Sequence, residues 1–406
     1  MKKSIYLLLA VFFLIYIATG STNSLLGSAW PAISADIAIP ISWQSIIIIT
    51  TYTAAAIGSM AAQYILAVFR SWAPLTVGMF IITGAVFVYS VTYSFSVLVV
   101  FGVVIGFFFG MQGSITNGYV TKHYSASSLS WLHCFYSLGN TFAPAIMSYF
   151  IISAGSWRMG YHAVGWVVFT ISVILLLSFQ LWKAHGPVLP DRIMLGRIKD
   201  DGKSPTSDPG IRIKPPRELF RVKGGAIIPV NMFVYCSYEV TLGLWITSYL
   251  TEEKDITAGV AAGMLAVLFA AQFAGRIVGA FLTFRISDRY IIRAAMIVLF
   301  VSVVIFSLTP LTLLTPVLIV MGFASGPIFP LLIHEAPLIV GKENAQGVIG
   351  LQVASANIGT AFVPFLIGLI TDFIGFRIFP LYLILFVGLA LTIKSILDAR
   401  TEKREE

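Results

Sequence analysis

One carboxylate, Glu239, stands inside the apolar stretch 230–250, more than seven residues from either end. A charge at mid-membrane depth costs at least roughly 2.5–3.5 kcal/mol unless it faces a cavity or a partner. At i−4, i−1, i+3 and i+6 from it are Tyr235, Tyr238, Leu242 and Trp245. The expectation is therefore a carboxyl framed by hydrogen-bonding aromatics. Two uses fit such a group. It takes up and releases a proton in step with a transport cycle, or it stays protonated and bonds a neighbouring helix for packing.

Other polar side chains recur at helical spacing inside apolar runs: Ser21, Thr22 and Asn23, then Gln112 with Thr116, then His133, Tyr136, Asn140 and Pro144, then Gln272, then Gln352 and Asn357. An unpaired polar group in hydrocarbon is costly, so such residues face a cavity or another helix. Amides donate and accept at once and rings stack on apolar faces, a combination suited to a hydroxyl-rich ligand. The substrate-binding set expected on these grounds is Asn23, Gln112, Tyr136, Asn140, Tyr235, Tyr238, Trp245, Gln352 and Asn357, with Glu239 as the proton-coupling residue. Any single amide is equally suited to joining two helices. His133, near one end of its helix, reads as a water-accessible structural histidine. The level of Arg276 lies seven residues from that of Glu239, on the order of 10 Å of rise, so Arg276 is expected to snorkel or to pair with Asp288.

The elements that position these groups follow from composition. Apolar residues make up 58% of 406, charged residues 11%, and the mean hydropathy is +0.90. Those values exclude a soluble globule and call for a polytopic membrane protein. Twelve runs are long enough to span a bilayer as helices, at about 5–27, 43–66, 74–95, 97–120, 131–153, 162–183, 224–250, 258–284, 290–308, 311–333, 344–370 and 376–395. The first has the basic start and apolar core of a signal peptide, but the eleven spans behind it favour a retained helix. Both cysteines, Cys134 and Cys236, fall inside spans and form no disulfide or metal framework.

The net charge of +8 sits mainly in alternate loops. Lys2, Lys3, Arg70, Lys122, Arg285, Arg289, Arg293, Lys342 and the C-terminal tail lie on one side; only Arg158, Lys254 and Arg377 lie on the other. The positive-inside rule then puts both termini in the cytoplasm, and a multi-pass protein of the inner (cytoplasmic) membrane is expected, with lipid rather than nucleic acid around it. Residues 184–223 form one long hydrophilic segment with six prolines and, counted from Lys183, ten Lys or Arg. Such composition cannot build a core, so it reads as a basic cytoplasmic linker with a short surface helix near its end. The domains expected are an N-terminal half at 1–183, the linker, a C-terminal half at 224–395 and a cytoplasmic tail at 396–406.

The halves repeat one another. Gly139 and Pro144 answer Gly359 and Pro364, Gly106 and Gly110 answer Gly322 and Gly326, and Gly58 answers Gly275, at offsets that differ by no more than four residues. The fold class expected is all-α and integral to the membrane: twelve transmembrane helices in two six-helix repeats around a central cavity.

With its twelve spans, basic central loop and two related halves, the chain resembles the major facilitator superfamily over nearly its whole length. Within it, the run 117–125, the segment Trp131, Leu132, His133, Cys134, Phe135, Tyr136, Ser137, Leu138, Gly139 with Pro144, and the Glu239 to Gly243 sequence resemble the fucose permease branch. That resemblance implies sugar–proton symport. The branch carries carboxylates in spans one and four, where this chain has Asn23 and Gln112, amides that bind hydroxyls but do not titrate. Glu239 remains as the mid-span carboxylate.

No Walker A loop, metal-spaced His or Cys set, or Gly-x-Ser-x-Gly elbow is present, which argues against an ATP-driven pump or an enzyme and against any metal or cofactor. The expected function is proton-coupled alternating access for a small hydroxylated solute, a monosaccharide first of all, by a monomer, with sodium as the other coupling ion to weigh. The rival expectations are a proton-driven exporter of amphiphilic compounds, whose cavity would be lined by aromatics and methionine, and a non-transporting receptor or scaffold signalling through the basic linker.

Overall fold

The computed structural model describes residues 2–69, 71–124, 126–183 and 216–402, and every regular element among them is a helix. The long ones in chain order are α1 (Lys2–Asp36), α2 (Gln44–Val68), α3 (Trp72–Val91), α4 (Phe95–His123), α5 (Ala126–Ala154), α6 (Trp157–Leu177), α7 (Ile227–Glu252), α8 (Ala258–Leu282), α9 (Asp288–Leu308), α10, α11 (Lys342–Ile374) and α12 (Phe379–Glu402). A turn at Gly326 and Pro327 breaks α10 into Leu314–Ser325 and Ile328–Val340. Among the described residues eleven of the twelve are long and apolar enough to cross a membrane. The remaining one, α5, has the length and carries the polar stripe of His133, Tyr136 and Asn140.

Among the described residues one large hydrophobic core forms in each half, and a smaller cluster of Leu219, Ile228, Val348 and Leu397 gathers beside them. Phe12, Ile15, Trp30 and Val86 are fully buried in the first half, and Leu299, Phe306, Leu314 and Phe379 in the second. The glycine repeat shows why the halves have the same shape. Gly139 in α5 lies on the Ile17 carbonyl of α1, and Gly359 in α11 lies on the Phe233 carbonyl of α7. Gly58 in α2 lies on the Phe107 carbonyl of α4, and Gly275 in α8 on the Phe323 carbonyl of α10. A Cβ at any of these four would strike a backbone oxygen, so each pair fixes one close helix contact in each half. The match also fixes register. Asn23 and Glu239 each stand six residues beyond the paired carbonyls, and Ser59 and Arg276 each follow the paired glycines.

Several element boundaries differ from the sequence expectation: α5 starts at Ala126, α6 at Trp157, and the second piece of α10 runs on to Val340. Helix α1 runs through Pro31 to Asp36, because Ala29, Trp30 and Ile33 are fully buried and Trp30 Nε1 donates to the Ile41 carbonyl at 2.5 Å. At the other end of the chain, α12 continues past 395 to Glu402. A five-residue helix, Phe179–Lys183, follows α6, and a six-residue helix, Pro216–Arg221, leads towards α7. Arg70, linker residues 184–215 and tail residues 403–406 lie outside the described residues.

Candidate functional site

Between the halves lies a cavity of about 320 Å³. The N-terminal half lines it with Tyr16, Thr19, Asn23 and Ser24 from α1, Phe109, Gln112 and Asn117 from α4, and His133, Tyr136 and Asn140 from α5. The C-terminal half contributes Met232, Cys236, Glu239 and Gly243 from α7, Phe269, Gln272 and Arg276 from α8, Phe329 from α10, and Val353, Ala356, Asn357 and Thr360 from α11. These sets follow the i, i+3, i+4, i+7 pattern, so each helix presents one face to the cavity.

Glu239 is not alone. Its Oε1 accepts from Gln272 Nε2 at 2.5 Å and from Arg276 Nη2 at 3.1 Å. The guanidinium is only 8% exposed and has further anchors: Nη1 donates to the His133 carbonyl at 3.1 Å and to Ser137 Oγ, and Nε to the Gly326 carbonyl at 3.3 Å. Two of these anchors, His133 and Ser137, belong to the opposite half. One guanidinium thus ties α8 to α5 across the interface, to the break in α10, and to the carboxylate of α7.

This corrects the expectation for Arg276, which neither snorkels nor pairs with Asp288. Counting Cα levels neglects the reach of the two side chains, which lean towards each other across adjacent helices. Asp288 instead meets His334 Nδ1 at 2.5 Å.

Of the expected substrate-binding set, the structure brings Asn23, Gln112, Tyr136, Asn140 and Asn357 into one cavity with Glu239. The other four lie in helix packing. The Tyr235 hydroxyl donates to the Ser325 carbonyl at 2.7 Å, Trp245 Nε1 to the Pro364 carbonyl at 3.0 Å, and Gln352 Nε2 to the Leu332 carbonyl at 3.1 Å. Tyr238 is fully buried among the C-terminal helices. The face of α7 that carries Glu239 is therefore Met232, Cys236 and Gly243, not the aromatics around it in sequence. His133 lies at the cavity wall, edge-on to Tyr16 at 5.9 Å between ring centroids and tilted to Phe329 at the same distance.

Sequence reasoning left Tyr16, Thr19 and Asn117 out of the site. The Tyr16 hydroxyl donates to Asn117 Oδ1 at 2.6 Å, and Thr19 Oγ1 accepts from Gln112 Nε2 at 2.5 Å. The signal was available, since Tyr16, Thr19 and Asn23 stand at i, i+3 and i+7.

Beyond the cavity, towards the end away from the termini, the halves are joined. Thr247 Oγ1 donates to the Gly27 carbonyl, Gln44 Nε2 donates to the Leu244 carbonyl at 3.1 Å, and Ser45 abuts Gly368. A Cβ on Gly27 would come within 2.5 Å of the Gly243 carbonyl oxygen, so the two backbones touch there.

A twelve-helix bundle of two related halves around a polar cavity, closed at one end by contacts between the halves, is the architecture of a secondary transporter. The chain belongs to the Major Facilitator Superfamily, whose sequence profile matches residues 12–333 and 227–406. No curated protein sequence matches it. Among solved structures, a bacterial homolog of the human lysosomal transporter Spinster, inward-facing and occupied, is 14% identical with a TM-score of 0.72, covering 99% of this chain and 98% of that one. The unoccupied inward-facing form gives a TM-score of 0.74 at 13% identity, again over 99% and 98% of the two chains. The nucleoside transporter NupG gives 0.68 at 13% identity over 96% and 98%. At these identities the likeness is one of fold.

Proposed function

We propose that this transporter moves a small hydroxylated solute, a monosaccharide being the simplest class, by alternating access coupled to a proton carried on Glu239. The observation that carries the substrate class is the ring of amides and phenols around the cavity: Asn23, Gln112, Asn117, Asn140 and Asn357 with Tyr16 and Tyr136. Amides donate and accept at once, so a hydroxyl entering the cavity finds partners for both of its roles.

The coupling reading rests on position and electrostatics. Glu239 is the sole carboxylate among the described cavity-lining residues. A neutral carboxyl crosses a closed, low-dielectric state far more readily than a charged one, so protonation licenses reorientation of the loaded carrier. The resemblance of 117–125, 131–139 and the Glu239 segment to the fucose permease branch supports symport, and with Asn23 and Gln112 in place of the branch's carboxylates Glu239 is the remaining mid-span carboxylate. The charge asymmetry of the loops supports an inner-membrane protein with cytoplasmic termini, and a monomer is the usual habit of the superfamily.

The test is uptake of labelled monosaccharides into proteoliposomes, with inward proton or sodium gradients, beside Glu239→Gln. Accumulation of one sugar that needs the proton gradient and Glu239 is the expected result, with exchange retained in the variant. Uphill transport by Glu239→Gln would remove the coupling role, and dependence on sodium instead would replace the ion.

A further inference from the structure

The charges that line the cavity restrict what can travel with the proton. Glu239 and Arg276 are the carboxylate and the permanent cation there, 3.1 Å apart. The other titratable groups close by are His133, Cys134 and Tyr136 on α5, Tyr16 on α1, and Tyr235, Cys236 and Tyr238 on α7 itself. Arginine keeps its charge in proteins. In the empty carrier the pair sums to zero. When Glu239 takes a proton, its Oε1 no longer offers Arg276 Nη2 a negative partner, and the remaining anchors of the guanidinium are neutral: two carbonyls and a hydroxyl.

The consequence depends on the solute. A neutral sugar loaded with a proton leaves an uncompensated guanidinium inside the site at the moment it must close. A neutral sugar loaded without a proton leaves the pair intact, which is uncoupled transport. A solute bearing one negative charge, loaded with one proton, again brings the sum to zero, and its carboxylate meets the guanidinium face that Glu239 releases.

We infer that the coupled substrate is a hydroxylated acid, a sugar-acid type of molecule with one carboxylate, for which Arg276 is the specificity-determining residue. This rests on the proton-coupled reading above. In it the proton moves from bulk water to Glu239, the solute carboxylate replaces Glu239 at Arg276, and the hydroxyls of the solute lie against Gln112 and Asn140. Empty and loaded carriers are both neutral, so the coupled step carries no net charge.

The test compares D-glucuronate with D-glucose, which differ at one carbon, in proteoliposomes with an inward proton gradient and with the membrane potential clamped at several values. The expected result is glucuronate accumulation that depends on the proton gradient and does not change with potential. Arg276→Gln and the charge-keeping Arg276→Lys, each checked for monodispersity, should lower apparent glucuronate affinity by 10-fold or more, with Arg276→Lys the milder. Proton-driven, potential-sensitive accumulation of glucose with no glucuronate uptake overturns the inference and leaves the symport reading in place. Glucose movement that ignores the proton gradient overturns both. If neither solute moves and neither binds the monodisperse detergent-solubilised protein, the acid reading and the sugar reading fall together.

Discussion

The two walls of the cavity come from the same repeated unit and carry opposite kinds of chemistry. On the N-terminal wall Asn23 occupies the place that Glu239 takes on the other, while Ser59, the counterpart of Arg276 in the repeat, is not among the residues lining the cavity. The first wall is uncharged and carries the amides of Gln112 and Asn140. Its counterpart is charged and answers itself through Gln272, Glu239 and Arg276. In the function proposed above, a handful of side chains divides the labour between two copies of one scaffold: one half would offer hydrogen bonds to a solute, and the other holds the carboxylate. Arg276 joins the two, since it anchors on the N-terminal half while partnering Glu239.

The comparison breaks most decisively if the carboxylate is moved. In Glu239→Asn both walls carry an amide at this position, and uphill accumulation should vanish while exchange continues. Adding Asn23→Asp restores a carboxylate on the wrong wall, whose half has Ser59 in the repeat position of Arg276, and accumulation should stay absent. If the double variant regains it, the pairing with Arg276 is not what matters. A smaller effect is expected from Asn140→Ala, which removes one solute hydrogen bond and should raise KM by roughly 10-fold, the equivalent of about 1–1.5 kcal/mol. Gly27→Val tests the joint beyond the cavity: overpacking there, on the order of 1–3 kcal/mol, should shift the protein away from this conformer, read as faster thiol labelling of a cysteine placed at Ser24 from the end away from the termini. Least of all should change in Gln352→Leu. Its side chain bonds the Leu332 carbonyl outside the cavity, so stability should fall by about 1 kcal/mol with KM within about twofold.

The spans and the repeat were legible because each rests on a local rule: apolar length for a helix, and a glycine wherever backbones touch. The cavity residues legible in advance, such as Asn23, Gln112, Asn140 and Asn357, sit near mid-depth on a single helical face. Errors arose where neighbours in sequence are not neighbours in space. Tyr238 is one residue from Glu239 and therefore roughly 100° around the helix, and Gln352 is five from Asn357, roughly 140° away. Tyr235 is nearly on the right face, but its hydroxyl is claimed by the carbonyl at the break in α10. Arg276 was placed by the level of its Cα, and a long flexible side chain acts well away from that level.

A second set of buried charges sharpens what is special about the cavity. Lys394, fully buried, meets Glu335 at 2.7 Å and Asp398 at 2.5 Å, with Arg289 3.4 Å from Asp398. All four lie within the C-terminal half, so a rocking of one half against the other leaves them undisturbed. The Glu239–Arg276 pair also lies within the C-terminal half, but its guanidinium reaches across the interface to the His133 carbonyl and Ser137, and a rocking of the halves would break those two bonds.

The polar stripe of α5 has a last consequence, for the birth of the protein. Among the described residues the other eleven long helices are apolar enough by composition to cross a membrane, and α5 is set apart by this stripe. The ribosome makes it long before α8, whose Arg276 and glycine-rich face cover it in the finished bundle. Through the synthesis of α6, the linker and α7, α5 must be held beside α1 with His133, Tyr136 and Asn140 uncovered. The partners that Arg276 brings to the His133 carbonyl and Ser137 exist only once the second half of the chain has been made, so the polar stripe of α5 is completed last.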